Sequence, residues 1–405
     1  MIPCLDEEAG VGKVVDRAWR GIEATGRSGE VIVVDNGSSD RSAEVAEEAG
    51  ARVVSEHRRG YGSAYLTGIA AARGEHIVMG DADESYDFME LGRLVAALGD
   101  ADLVLGSRFR GRIHQGAMPW THRVIGNPML TRLLNLLFGT RLSDTLCGLR
   151  AIRRSAVPTL GLNSLGMEFA HEMVIKAAKK KLQIAEVPID YHPRAGVSKL
   201  NTFRDGWRYL RYMLVHAPTF LFVVPGAVVF VVGLAALLVL AAGPAEVFGR
   251  VWQVHAMIVA SAATLVGAQV IQIGIFARAY AFLYGGERDP LLARFSRWLR
   301  LEHGLLLGLL LFLAGGGLLL AITLEWARGD FGALEREHPA LLGLTLGGLG
   351  IQAIFASFFL SVLALPKETL IEERRGSRSR RDAARPDEIV GVGVEVHDAD
   401  RARRG

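Results

Sequence analysis

Asp81-Ala82-Asp83 sets two carboxylates at i and i+2 directly after the apolar run His76-Ile77-Val78-Met79-Gly80. Like charges this close are costly unless a cation shares them, and all-oxygen donors select a hard ion such as Mg²⁺ or Mn²⁺. Such an ion would bridge the pair to a diphosphate. A second acidic site, Asp35-Asn36-Gly37-Ser38-Ser39-Asp40, closes the run Glu30-Val31-Ile32-Val33-Val34. Its Asn-Gly pair is turn chemistry, and Ser or Asp there can cap the next helix. The Asp35 carboxylate can also accept an N–H from a uracil or guanine ring. Between the two sites, Arg59-Gly60-Tyr61-Gly62-Ser63-Ala64 and Gly68 form a glycine-rich turn opening a helix, where backbone can approach phosphate. No Gly-Lys-Ser/Thr follows, which disfavours hydrolysis of a nucleoside triphosphate.

The elements that must carry these residues are short and apolar. Residues 30–35, 76–81 and 101–106 are runs of strand length, the first two each leading into a helical pattern. Runs buried on both faces suit a parallel sheet, so the fold class is α/β. In open α/β sheets ligands lie beyond the carboxyl ends of the strands, where Asp35, Asp81 and Arg108 project.

The whole chain has 405 residues, 50% hydrophobic and 22% charged, with mean hydropathy +0.25. That excludes a disordered protein and an ordinary soluble single domain. A net charge of +3 leaves no nucleic-acid footprint. Cys4 and Cys147 cannot build a disulfide framework or a zinc site, and read as packed thiols of a head facing a reducing compartment. Residues 1–200 form the head, 201–217 an interfacial helix, 218–365 a membrane domain, and 366–405 a charged tail too poor in apolar residues to fold alone. The expected spans are about 219–242, 254–277, 304–324 and 341–365, each near the length that crosses a bilayer. Glycine runs such as Gly315-Gly316-Gly317 are expected to let helices approach closely.

Basic residues sort to one side. Arg250, Arg328 and Arg336 are alone in the outer loops, whereas the middle loop holds Arg288, Arg294, Arg297 and Arg300. Head, middle loop and tail are therefore expected in the cytoplasm. In the interfacial segment Phe203, Trp207, Leu210 and Leu214 recur at helical spacing beside Arg204, Arg208 and Arg211. The alternative there is a helix packed on the head with a solvated basic face. No cleavable signal is expected before the head.

Taken in order, Pro3 with Asp6-Glu7, Val34 to Asp40, Gly60-Tyr61-Gly62, Asp81-Ala82-Asp83 and Gly106-Ser107-Arg108 resemble family 2 glycosyltransferases of GT-A fold. Asp144-Thr145-Leu146-Cys147-Gly148-Leu149-Arg150, Gly166 to Phe169 and Ser198-Lys199-Leu200 are similar to the branch that makes polyprenyl-phosphate sugars, the dolichol-phosphate mannose or glucose synthases. The resemblance covers residues 2–217. It implies inverting transfer of a hexose from UDP-glucose or GDP-mannose to a polyprenyl or dolichyl phosphate. Asp35 would meet the base, with Pro3, Asp6, Glu7, Gly62 and Asp81 lining the nucleotide. Asp81 and Asp83 would hold Mg²⁺ or Mn²⁺. Arg108, Arg123, Asn127, Ser198 and Lys199 would grip the acceptor phosphate, making Asp83, Arg108 and Arg123 the catalytic set. A lipid phosphate is already anionic at neutral pH, so no protein base is required. The pattern leaves room for a homo-oligomer.

Three departures stand out. Asp6 replaces the usual Asn, and Glu84-Ser85-Tyr86 replaces Leu-Gln-His, which weakens Ser85 as a third metal ligand. Only Met1 and Ile2 precede Pro3, so the first strand looks truncated and the natural chain is expected to start upstream. Glu168 and Glu172 read as structural, the latter pairing with Lys176. The competing functions are a processive polysaccharide synthase, whose Gln-x-x-Arg-Trp is matched only by Arg294-Phe295-Ser296-Arg297-Trp298, and a non-catalytic nucleotide-sugar-binding module.

Overall fold

The computed structural model describes residues 1–196, 202–247, 249–284, 301–329, 331 and 336–364. Ser198, Lys199, the basic middle loop with its Arg-Trp sequence, and the tail lie outside the described residues.

Strands β1 (Ile2–Cys4), β2 (Ile32–Asp35) and β3 (Arg52–Ser55) pair in parallel in the order β1-β2-β3. Strands β4 (His76–Met79), β5 (Leu103–Ser107), β6 (Arg150–Arg153) and β7 (Ile184–Pro188) take the order β4-β6-β5-β7. Met1 joins the two groups: its ammonium donates to the Val78 carbonyl at 2.8 Å, and the Gly80 N–H donates to the Met1 carbonyl at 3.3 Å. Among these seven strands, β6 is the one that runs against its neighbours. The first strand is thus present but three residues long, with Pro3 opposite Val34. Pro lacks an N–H to give the ladder, which helps keep this strand short.

Helix α1 (Glu8–Ala24) buries Val11, Val14, Val15 and Ala18 on one face of the sheet. On the other lie α3 (Tyr61–Ala71) and α7 (Phe169–Lys179), whose Tyr65, Met173 and Ile175 join a core with Leu134 and Leu105. Because β1 and β2 are in parallel register, with Cys4 opposite Asp35, the loops carrying Asp6, Glu7 and Asp35 leave the same edge of the sheet.

Helix α8 (Thr202–Val215) packs on the head along one face and exposes apolar side chains on another. Asp205, Tyr209 and Met213, spaced by four, are buried against the head, while Phe203 and Trp207 are 89% and 59% exposed. Four helices are long and apolar enough to cross a membrane: Thr219–Ala241, Val254–Leu283, Leu301–Arg328 and Glu337–Ala364. They lie in α9 (Val224–Ala241, with a π-turn before it), α10 (Val254–Tyr284), α11 (Leu301–Arg328) and α12 (Glu337–Ala364). The last three extend past the apolar windows, because helical hydrogen bonding continues through flanking polar residues. Helix α9 packs on α10 and α11 on α12, and α10 meets α12 through a 2.6 Å bond between Ser261 and Thr345 hydroxyls. Of the triple glycine run only Gly315 is a close contact, since a Cβ there would strike Gly343 and Gly347; Gly316 and Gly317 face open space.

Candidate active site

The two carboxylates after β4 are each already half engaged. Asp81 Oδ1 accepts from the Tyr61 hydroxyl at 3.1 Å and lies 3.5 Å from that of Tyr65. Burial, and then the charge of Asp83, push the Asp81 carboxyl up to about 7. Asp83 is 8% exposed. Its Oδ1 accepts from the Ser85 N–H at 3.0 Å and from the Ser85 hydroxyl, and its Oδ2 is 3.4 Å from Arg194 Nη2. Ser85 therefore serves Asp83 as a donor. Glu84 between them has φ +61°, a left-handed conformation that swings the loop back over the strand end. Two neighbouring carboxylates, one reluctant to ionise, form an oxygen donor set that fits Mg²⁺ or Mn²⁺.

On the neighbouring strand ends, Asp35 accepts the Ser38 N–H at 3.2 Å. Asn36 is buried and acts as a staple: its Nδ2 donates to the carbonyls of Glu56 and Arg58 at 3.0 and 2.8 Å, and its Oδ1 accepts the Gly60 N–H at 2.7 Å. Asp6, at φ +48°, accepts from the Ser39 N–H at 2.6 Å and its hydroxyl at 3.0 Å. Glu7 Oε1 lies 3.4 Å from the same Arg194 Nη2 that reaches Asp83. Gly62 owes its size to protein packing, for a Cβ would strike the Ser164 carbonyl.

The expected acceptor residues are less uniform. Arg108 is only 6% exposed. Its Nε and Nη2 donate to Asp144 Oδ2 and Oδ1 at 2.6 and 2.8 Å, and its guanidinium lies 5.1 Å from the centre of the Tyr191 ring. Glu186 in turn holds the Ser143 and Asp144 N–H groups at 2.7 and 3.0 Å. Arg108 is therefore one half of a buried two-pronged ion pair, where the sequence suggests a cation on the rim. Arg123 is exposed on the π-turn His122–Gly126, and Asn127 opens α5 (Asn127–Phe138) with its Nδ2 3.5 Å from Met118 Sδ.

Residues 1–161 match Glycosyl transferase family 2, and residues 275–364 match the family 2 C-terminal transmembrane region. Low-salt glycan biosynthesis hexosyltransferase Agl6 of Haloferax volcanii is 40% identical over 368 residues, covering 90% of this chain and 88% of that protein. The chain belongs to glycosyltransferase family 2. This family 2 glycosyltransferase is also 35% identical to a dolichyl-phosphate hexose transferase of the same organism, over 50% of the chain and 85% of the relative. It is 27% identical to the undecaprenyl-phosphate 4-deoxy-4-formamido-L-arabinose transferase of Proteus mirabilis, over 71% and 89%. Glucosyl-3-phosphoglycerate synthase of Mycobacterium tuberculosis, a solved structure, superposes with TM-score 0.43 at 24% identity, over 53% of this chain and 78% of that one.

Two residues of this candidate site carry no clear signal in the sequence. Arg194 joins Glu7 to Asp83 because the chain returns over the acidic loop, with the Ala195 N–H on the Asp83 carbonyl at 2.8 Å and the His192 N–H on the Ser85 carbonyl at 3.0 Å. Its only signal was a position four residues before Ser198. In the sequence Tyr61 is simply part of a glycine turn, yet its hydroxyl donates to Asp81. Glu172 is structural as expected: fully buried, it accepts N–H groups of Asn163 and Ser164 and pairs with Lys176 at 2.6 Å.

Proposed function

We propose that this glycosyltransferase moves a hexose, with inversion, from UDP-glucose or GDP-mannose to a polyprenyl phosphate at the cytoplasmic face of the membrane. The observation that carries this reading is the pair Asp81, half-buried, and Asp83, buried, in the loop after β4. A diphosphate-bound Mg²⁺ or Mn²⁺ is what such a pair is suited to hold. When bound, that ion neutralises charge growing on the departing nucleoside diphosphate. Asp35 takes the base, and Pro3, Asp6, Glu7 and Gly62 border the nucleotide. The acceptor is a phosphomonoester whose second pKa is about 6, so its oxygen attacks without a general base. Arg123, Asn127, Ser198 and Lys199 orient it, and Arg108, neutralised and fixed by Asp144, is a rigid part of the same acceptor side. Arg194 adds a cation beside the carboxylates.

The named substrates of the dolichyl- and undecaprenyl-phosphate relatives support a lipid acceptor. So does the head's exposed apolar surface. Trp120, Val124, Ile125 and Met129 are 51–66% exposed, and His122 Nε2 lies 3.1 Å from Thr202 Oγ1, linking that segment to Phe203 and Trp207 on α8. Exposed apolar side chains on two linked segments next to a membrane-length helix fit headgroup depth. The basic loops favour the cytoplasmic orientation.

The test is transfer of radiolabelled sugar from UDP- and GDP-sugars to polyprenyl phosphate in membranes, with and without EDTA. Metal-dependent label in the lipid extract, lost in Asp83→Ala, is expected. Label in a polymer would assign the chain to the processive synthases instead, and no transfer from any donor would leave a binding module.

A further inference from the structure

We propose that Tyr61, backed by Tyr65, is a positioning residue that presents Asp81 to a divalent cation. The proposal rests on the metal-dependent reading above.

Both phenol groups load one oxygen of Asp81. The Tyr61 hydroxyl is 3.1 Å from Oδ1, that of Tyr65 is 3.5 Å from the same atom, and the two hydroxyls are 3.3 Å apart. On the opposite side, Oδ2 sits against Gly148, where a Cβ would come within 2.6 Å. The carboxylate is held between a pair of donors and a backbone too close for any side chain, so its plane is fixed. A carboxylate whose orientation is preset loses less freedom on binding a cation, and outer-sphere donors of this kind are worth 10–100-fold in metal affinity.

Tyr61 is itself held from two sides. Asn36 Oδ1 accepts the Gly60 N–H at 2.7 Å, and the Ser63 N–H donates to the Leu165 carbonyl at 3.1 Å. Gly60 and Gly62 have no room for a Cβ against the carbonyls of Leu165 and Ser164. Tyr65 is stacked on Phe169 with rings 5.2 Å apart and 3° from parallel, and meets Tyr61 edge-on at 4.7 Å. The first turn of α3 is thus clamped where its hydroxyl meets Asp81. Asn36 is the residue after Asp35, so one covalent step separates the base-side carboxylate from the staple that sets the metal-side one.

Mn²⁺ binding is followed by electron paramagnetic resonance on the full chain in nanodiscs containing UDP. Tyr61→Phe keeps the ring and removes the donor, and is expected to weaken Mn²⁺ about tenfold, with an unchanged melting curve. Tyr65→Phe, at the longer distance, is expected to cost less than Tyr61→Phe. Tyr61→His restores a ring donor and is expected to recover part of the loss. Tyr61→Phe binding Mn²⁺ like the parent would overturn the proposal alone. Equal weakness in Phe and His, or a Tyr61→Phe chain that does not fold, would make Tyr61 scaffold and also overturn it. A parent that transfers sugar but binds no Mn²⁺ would overturn the metal reading and this proposal together.

Discussion

Asp144 neutralises a guanidinium that water barely reaches, and removing it strands that charge. Asp144→Asn is expected to cost about 3–5 kcal/mol of stability and to abolish transfer, read as a lowered melting temperature and lost lipid label. Arg108→Lys is expected to fall nearly as far, because an ammonium cannot make the fork. A pH effect belongs to His171. Its ring is fully buried and lies 4.5 Å from that of Tyr209, tilted by 33°, and neither nitrogen has a partner among the described residues. Burial, then the charge of Arg150, hold its pKa down to about 3 from 6.5. The unfolded ring takes a proton below about 6.5 and the folded one only near 3, so stability falls as pH drops through that window. His171→Phe is expected to flatten the melting temperature between pH 6.5 and pH 4. Asp81, Asp83 and Asp35 were legible because each ends an apolar run. The ion pairs of Asp144 and Arg194 were not, since their partners lie 36 residues and more than 100 residues away and no local pattern encodes such a meeting.

At the scale of elements, α8 divides its surface between a face packed on the head and an exposed apolar face. The thiols of Cys4 and Cys147 are pushed up to about 12, chiefly by burial, so a cysteine introduced on the surface will label selectively. A spin label at Phe203→Cys is expected to be accessible to oxygen and shielded from a water-soluble relaxant, and one at Arg211→Cys the reverse. A water-like signal at 203 would contradict the interfacial placement. The strands before Asp35, Asp81 and Arg108 could be read from apolar runs, and the spans from their length. Strand β6 could not, because Arg150-Ala151-Ile152-Arg153 carries charge at both ends; those arginines donate to carbonyls, Arg150 to Cys147, Ala170 and Thr145. The alternative reading of α8, a helix packed on the head, named no contact residues, and Tyr209 and Met213, which make that contact, lie off the stripe that signalled lipid.

For the molecule as a whole, the membrane helices form two tight hairpins that meet along α10 and α12. Gly315→Leu is expected to separate α11 from α12 and lower the melting temperature in detergent, while Gly316→Leu, facing open space, is expected to leave it unchanged. The sequence pattern could not distinguish the two glycines, because side-by-side residues on a helix point in different directions. The sharing of α8 bears on how this enzyme can be handled. Tyr209 and Met213 complete the core that holds Met173, Ile175 and Leu134, so there is no perforation along which catalyst and anchor tear cleanly. A crystallographer who trims the chain before Thr202 removes part of the enzyme's own interior, and one who trims after Val215 keeps Phe203 and Trp207 facing the solvent. A water-soluble version of this catalyst is therefore a problem of redesigning one helix face, and shortening the gene does not solve it.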